Sequence, residues 1–326
     1  ILGIGAAVLT GEGGLGTAIA VGSQSSAINR FLTFSRVQES SADQAALDYL
    51  EKAQMNPQGL VSFMEKLEDQ ELLPSSQQSE YVRTHPLTRN RIDALEAGYK
   101  RSPYQKTETS ALWQEQHARM LAKLVGFITP EQVAWQYDDR DQSIAADYAR
   151  AIAAYRQNKT KEALEKIDHL LAQEPNNPYF LELKGQMLVD FGRIAESLPS
   201  YRRAVEDVPE SGLIRTAYAH ALIESAQSGD ERDENQLREA VRHLERANKD
   251  EPRSTRIHRL LATAYGRLGQ ESRAKLHLAE EALLKGEIGY ARHQAEAAGA
   301  GLEKGSNPWL RAQDILNFIE QVDKKN

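Results

Sequence analysis

The chain has 326 residues, with 40 Lys plus Arg against 47 Asp plus Glu for a net charge of −7, 40% hydrophobic and 7% aromatic residues. That length suits two domains with an ample buried core, and the balance excludes both an intrinsically disordered chain and a broad nucleic-acid-binding surface. The absence of cysteine rules out a disulfide framework, a thiolate zinc finger and a cysteine nucleophile, and leaves cytosol and periplasm equally open.

Residue 1 is Ile, and residues 1–22 (ILGIGAAVLTGEGGLGTAIAVG) hold seven of the 21 glycines and no basic residue. A secretory signal needs a cationic stretch before its apolar one, and a membrane span needs about 20 apolar residues, whereas Glu12 and its flanking glycines split this segment into two short halves. The expectation is no transmembrane span, but small-residue helix pieces packed inside a domain, in a chain that is a fragment of a longer protein.

Apolar residues then recur at helical spacing: Ile28, Phe31 and Leu32, then Ala42, Ala45, Ala46 and Leu50, and after Asn56-Pro57 a second series of Leu60, Phe63, Met64 and Leu67. Pro57 suits a first helical position. Residues 69–81 are largely polar and read as an exposed loop. After His85-Pro86 a helix is expected from near Leu87 to Gly98. Ser102-Pro103 marks another loop, an amphipathic helix is expected over 110–127, and 129–142 is a connection.

Beyond residue 143 the pattern repeats. Pro175 and Pro209 lie 34 residues apart and each ends a similar helical run, EALEKIDHLLAQEP and AESLPSYRRAVEDVP. Thirty-four is the tetratricopeptide period. In that register Ala163, Ile167, Gly185, Tyr201 and Ala204 stand where paired helices need small or bulky residues to pack closely. A third unit ends at Pro252 with Ala240, Leu244 and Ala247 in register, and is 43 residues long because an acidic insertion, GDERDENQ over 229–236, is expected to form a surface loop. A fourth carries Leu261, Ala262, Tyr265, Gly269, Ala274 and Leu278. Helices near 287–303 and 308–323 close the chain as caps. Long alternating β-type runs are absent, so the fold class is all-α.

The cluster that stands above background chemically is Arg36-Val37-Gln38-Glu39-Ser40-Ser41-Ala42-Asp43. Glu39 and Asp43 are four residues apart, hence on one helix face. Two neighbouring carboxylates repel unless a positive charge sits beside them. A zinc ion with histidine ligands is one source, with one acid on the metal and the other accepting a ligand histidine's second ring N–H; a solvated helix face is the bland alternative.

The run FSRVQESSADQAALDYLEKAQMNPQGLVSFMEKLE, followed by THPLTRNRI and then by tetratricopeptide repeats, resembles the C-terminal two-thirds of periplasmic zinc metallopeptidases of the β-barrel assembly-enhancing type. The resemblance implies a truncated helical zincin-type peptidase domain followed by a tetratricopeptide α-solenoid. It divides the chain into the C-terminal part of a metallopeptidase domain (1–100), a connecting helix and linker (101–143), repeats (144–286) and capping helices (287–326).

It further implies that Glu39 of the R-x-x-E-x-x-A-D motif is the third Zn2+ ligand and Asp43 the residue behind it, with Arg36 paired to nearby carboxylates. The other two ligands and the general base would come from a His-Glu-x-x-His helix. None of the eight histidines (85, 117, 169, 220, 243, 258, 277, 293) has that spacing, so the helix is expected ahead of Ile1 and the 326 residues alone are expected to be inactive.

His85, held extended by Pro86, is either a helix-capping residue or a regulatory ligand that occupies the metal's open position. The His220/Glu224 pair is weak as a metal site. Trp113, Trp135 and Trp309 read as core or inter-domain packing, and the GEGG of residues 11–14 lacks a phosphate-loop ending. Two functions follow. The leading one, implied by the resemblance, is a zinc endopeptidase of the periplasm in protein quality control or outer-membrane protein assembly, whose repeat groove binds client polypeptides and assembly proteins and no nucleic acid. The other is a non-catalytic tetratricopeptide adaptor or chaperone.

Overall fold

Helical spacing in the sequence becomes helix throughout the computed structural model, which describes residues 37–71, 89–227 and 231–324; among these there is no strand. The chain divides into two compact units, Ile1–Gln114 and Glu115–Asn326, each described here by itself.

In the first unit the described helices are α1 (37–52), α2 (Gln58–Glu71) and α3 (Arg89–Arg101). Asn56 ends the turn between α1 and α2: its Oδ1 accepts from the Gln58 amide at 2.9 Å, and its Nδ2 donates to the Gln105 carbonyl at 2.8 Å. The side chain thereby caps α2, and Pro57 lies one residue before the helix, not at its first position. Val61, Met64 and Leu67 of α2 meet Ile92 and Leu95 of α3 in a small core completed by Leu47, Leu60 and Tyr99. Burial of side chains of this size contributes about 1.5–3 kcal/mol each. The expected loop over 69–81 and His85 fall largely or wholly outside the described residues, as does Arg36.

The helix α4 (Ala111–Ile128) follows, and the unit boundary falls within it. The stretch expected as a plain connection contains a 3-10 turn (Pro130–Gln132) and one turn of helix, α5 (Val133–Gln136). Trp135 on α5 is 87% exposed and Trp113 on α4 is 49% exposed, so neither is buried in a core, the first of the two roles expected of them.

From Ser143 onward helices come in antiparallel pairs: α6 (Ile144–Arg156) with α7 (Thr160–Gln173), α8 (Pro178–Asp190) with α9 (Ile194–Asp207), α10 (Gly212–Ser225) with α11 (Glu231–Asp250), α12 (Thr255–Arg267) with α13 (Glu271–Lys285), and α14 (Ile288–Gly301) with α15 (Asn307–Asp323). Two chemical devices recur with the period. The first helix of four pairs is capped by a side-chain oxygen at Ser143, Asn177, Ser211 or Ser254, and α15 is capped by Ser306. Three of these caps follow Pro175, Pro209 and Pro252 by two residues, so the proline stops one helix and the cap starts the next. Within pairs the chain reverses through a residue with positive φ, Asn158 (57°), Gly192 (75°) or Gly269 (71°), conformations that suit Gly and Asn.

Close packing within a pair is visible at Gly185. A Cβ added there would stand 2.8 Å from the ring of Tyr201, so the bulky aromatic occupies the space that glycine leaves. The core then runs through Tyr148, Ile152, Ile167 and Phe180, through Tyr201, Tyr218, Leu222 and Leu244, and ends on an alanine-rich cluster around Ala291, Ala295 and Ile315.

The acidic insertion is not a surface loop over its described part. Residues 231–236 form the first turns of α11, which reaches 20 residues. Glu231, Asp233 and Glu234 lie in its first turn, where carboxylates stabilise the positive end of the helix dipole, and Asp233 is buried.

Candidate functional site

The acids singled out in the sequence do meet on one face of α1. Asp43 is 7% exposed and Glu39 is partly buried, in a helix whose other faces carry exposed residues such as Val37 and Tyr49. Between them stands Arg91 of α3, 5% exposed. Its Nε donates to Asp43 Oδ2 at 2.7 Å and its Nη2 to Oδ1 at 2.8 Å, a two-pronged pairing, while the same Nη2 lies 3.2 Å from Glu39 Oε2.

One guanidinium thus supplies the positive charge that two neighbouring acids require. The rigid fork suits this role better than lysine, which presents a point charge. Sequence reasoning placed Arg91 in a helix and gave it no function; a charged residue beside Ile92 on an otherwise apolar stripe was the available signal.

What this cluster can do chemically follows from its donor set. Asp43 is fixed in one orientation and retains acceptor capacity, because a carboxylate offers about four lone-pair sites and Arg91 uses two. Glu39 is held at its Oε2 side. A zinc site needs four ligands, and among the described residues no group of three His, Cys, Asp or Glu side chains is placed to hold a metal. The described residues therefore do not by themselves fit a zinc ion. His85, the regulatory candidate, lies outside them.

Four of the other histidines have structural partners. His220 is 3.9 Å from Glu224, His243 Nδ1 is 2.9 Å from an Arg215 nitrogen, and His258 and His277 face each other through their Nδ1 atoms at 3.2 Å.

A second candidate region is the face formed by the first helices of the pairs. Asp190 of α8 accepts a hydrogen bond from the Tyr155 hydroxyl of α6. His220 of α10 is held below its usual range, first by burial and then by the Arg256 charge of α12, while Glu224 and Asp190 pull the other way. Polar groups of four successive first helices, α6, α8, α10 and α12, thus act on one another along this face.

Comparison with known proteins gives the same two parts. Residues 2–98 match the model of Peptidase family M48, and residues 133–285 match that of Tetratricopeptide repeat. The chain is 25% identical over 298 residues to the Beta-barrel assembly-enhancing protease of Escherichia coli K12, covering 90% of this chain and 59% of that protein. The protein of the same name from Yersinia pestis is 25% identical over 299 residues, with the same two coverages. The chain thus spans 59% of the length of these curated relatives. Among solved structures, MamA from AMB-1 is similar with a TM-score of 0.44 at 18% identity, covering 54% of this chain and 99% of that one.

Proposed function

We propose that this chain, which joins a Peptidase family M48 segment to tetratricopeptide repeats and is similar to the Beta-barrel assembly-enhancing protease, is the part of a periplasmic zinc endopeptidase that contributes one metal ligand and docks clients. One observation carries the reading. Within the matched peptidase segment, Glu39 and Asp43 share a helix face and are locked there by a buried arginine from α3. Side chains that hold a metal must be fixed to within a fraction of an ångström, and a two-pronged buried ion pair provides that restraint.

In a protein of the relatives' full length, Glu39 presents a carboxylate to zinc, Asp43 accepts the ring N–H of a ligand histidine through its remaining lone pairs, and His85 regulates access to the metal. The working division is peptidase segment 1–100, connector 101–143, repeats 144–286 and caps 287–326. The first helices of the repeats bind client polypeptides or outer-membrane assembly proteins. The test is casein cleavage by the full-length protein. Cleavage that is abolished by EDTA and by Glu39→Gln, and that the 326-residue chain alone lacks, supports the reading; cleavage unchanged in Glu39→Gln overturns it.

The adaptor reading is favoured by one specific feature. Arg91 pairs with both acids, so the cluster is held together as a structural element by the chain's own charges. If so, Glu39→Gln in the full-length protein leaves envelope function intact, whereas substitutions on the first-helix face of the repeats remove it.

A further inference from the structure

Two departures from the repeat pattern meet on the second helices of consecutive pairs. The first is length: α11 has 20 residues against 14 in α7 and in α9. Counted back from the closing prolines, Pro209 and Pro252, the start of α9 at Ile194 corresponds to Leu237, so residues 231–236 of the insertion are extra helix. The second is Pro199 in the interior of α9. Proline is costly there and has no N–H to give to the carbonyl four residues back, that of Ala195.

Between the two departures lies an open cleft of about 580 Å³. Ala195, Leu198, Pro199 and Arg202 share one face of α9 and form its first wall. The facing wall is α11, from Glu231 to Glu239, and four of its five lining residues come from the insertion.

Polar groups on both walls are held in place yet unspent. Arg202 Nε donates to the Tyr218 hydroxyl at 3.1 Å, and that hydroxyl donates to Glu239 Oε1 at 2.8 Å. Tyr218 is 1% exposed, so a buried side chain orients both charged ones. Arg202 Nη2 stands 4.0 Å from Glu239 Oε1, which leaves the terminal guanidinium nitrogens and the second Glu239 oxygen for other partners. No hydrogen bond among the described residues engages the side-chain amide of Asn235 or Gln236. Buried Leu198 and the exposed ring of Pro199 add an apolar floor.

Charge decides against an ionic ligand. Arg202 and Arg232 are matched by Glu231 and Glu239, so the lining has no net charge to offer. It offers donors and acceptors side by side instead, and an extended polypeptide needs both, because each residue brings one N–H and one C=O. The Asn235 and Gln236 amides supply both kinds of group, and the Ala195 carbonyl adds an acceptor. From Ala195 to Arg202 the α9 wall runs about 10 Å at about 1.5 Å per residue. An extended chain, at about 3.3 Å per residue, crosses that length in about three residues.

We infer that the cleft between α9 and α11 binds an extended segment of a partner polypeptide through its main chain, with one apolar side chain set on Leu198 and Pro199 and little preference for sequence elsewhere. The site lies on second helices, apart from the first-helix face on which clients are proposed to dock, so either can fail without the other.

The test is fluorescence anisotropy with the whole chain and three labelled 12-residue peptides. The reference peptide has serine, threonine and glycine around one central leucine. A second has those flanking residues in another order, and a third is the reference with N-methyl groups on two alternate amides beside the leucine. The first two should bind within about threefold of each other and the third at least about tenfold more weakly, the scale of two lost main-chain hydrogen bonds. Asn235→Ala combined with Gln236→Ala should weaken the reference peptide about tenfold and remove the effect of N-methylation. Lys161→Ala, at an exposed position of α7, should change neither. Pro199→Ala, which gives the Ala195 carbonyl a helical partner, should raise the melting temperature and weaken binding.

Equal binding of the N-methylated peptide would overturn main-chain recognition. A gain of about tenfold on replacing the leucine by aspartate or lysine would overturn it too, since the cleft would then read charge. An N-methyl effect that survives the double substitution would overturn the cleft as the site and leave the first-helix face standing. Binding of none of the three peptides would overturn the inference outright.

Discussion

Arg91 grips Asp43 through two parallel hydrogen bonds of 2.7 and 2.8 Å across 48 residues of sequence, and the same guanidinium reaches Glu39 at 3.2 Å. This contact joins α1 to α3 and sets the orientation of both acids. Breaking a buried ion pair by removing one partner leaves the other charged and desolvated. Arg91→Met should therefore destabilise the first unit by about 3–5 kcal/mol, with accelerated hydrogen exchange over residues 37–52. Arg91→Lys should recover part of the loss and not the orientation. Exchange in Arg91→Met equal to wild type would show that the pairing does not hold α1.

The Gly185–Tyr201 contact gives a prediction in the second unit. A methyl group at position 185 meets the Tyr201 ring at 2.8 Å, so the ring or the backbone of α8 has to shift. Gly185→Ala should cost about 1–3 kcal/mol, against the usual preference of helices for alanine over glycine. Urea unfolding checks it. Combined with Tyr201→Leu, the alanine should cost less than it does alone, which separates a clash from a general loss of helix.

One source of acid sensitivity lies where α12 meets α13. His258 Nε2 lies 3.4 Å from the Pro252 carbonyl, so its N–H points there; its Nδ1 then accepts from the Nδ1–H of His277 at 3.2 Å. Both rings are neutral in this arrangement. Tyr265 stacks on His277, with Arg273 over the Tyr265 ring, while Glu280, Glu281 and Arg311 act on His258. Burial, then the neighbouring His258 and Arg273, hold His277 down to about 3, and burial is the main cause that lowers His258.

The folded values lie below the unfolded value near 6.5, so the unfolded chain binds more protons in acid. The stability of this pair is complete above about pH 6.5 and falls progressively toward about pH 3. Melting temperatures measured between pH 7.5 and 5 should decline in the wild type and decline less steeply in His277→Asn. Parallel slopes would assign the acid sensitivity to other groups.

The repeats were legible because their signals are local. Pro175, Pro209 and Pro252, the capping residue two places later, and Gly185 opposite Tyr201 are all fixed by spacing within one period. Arg91 was not legible as a partner, since no local pattern announces a contact across 48 residues. Over 231–236 the insertion was misread because acidic runs resemble loops; at a helix start the same charges favour helix, and α11 absorbs them. Trp135 was assigned to packing from its size alone, and the one-turn α5 leaves it 87% exposed. Glu39 and Asp43 could be found from their spacing, whereas the charge that holds them together could be found only in the fold.

The decisive measurement is the zinc content of the full-length protein, purified without added metal, as wild type, Glu39→Gln and Asp43→Asn. One zinc per chain in the wild type is expected, with loss of the metal in Glu39→Gln and a weakening of about 10–100-fold in Asp43→Asn, the range for residues that orient ligands. A wild-type protein without zinc, or equal zinc in Glu39→Gln, would contradict the assignment of Glu39 as a metal ligand.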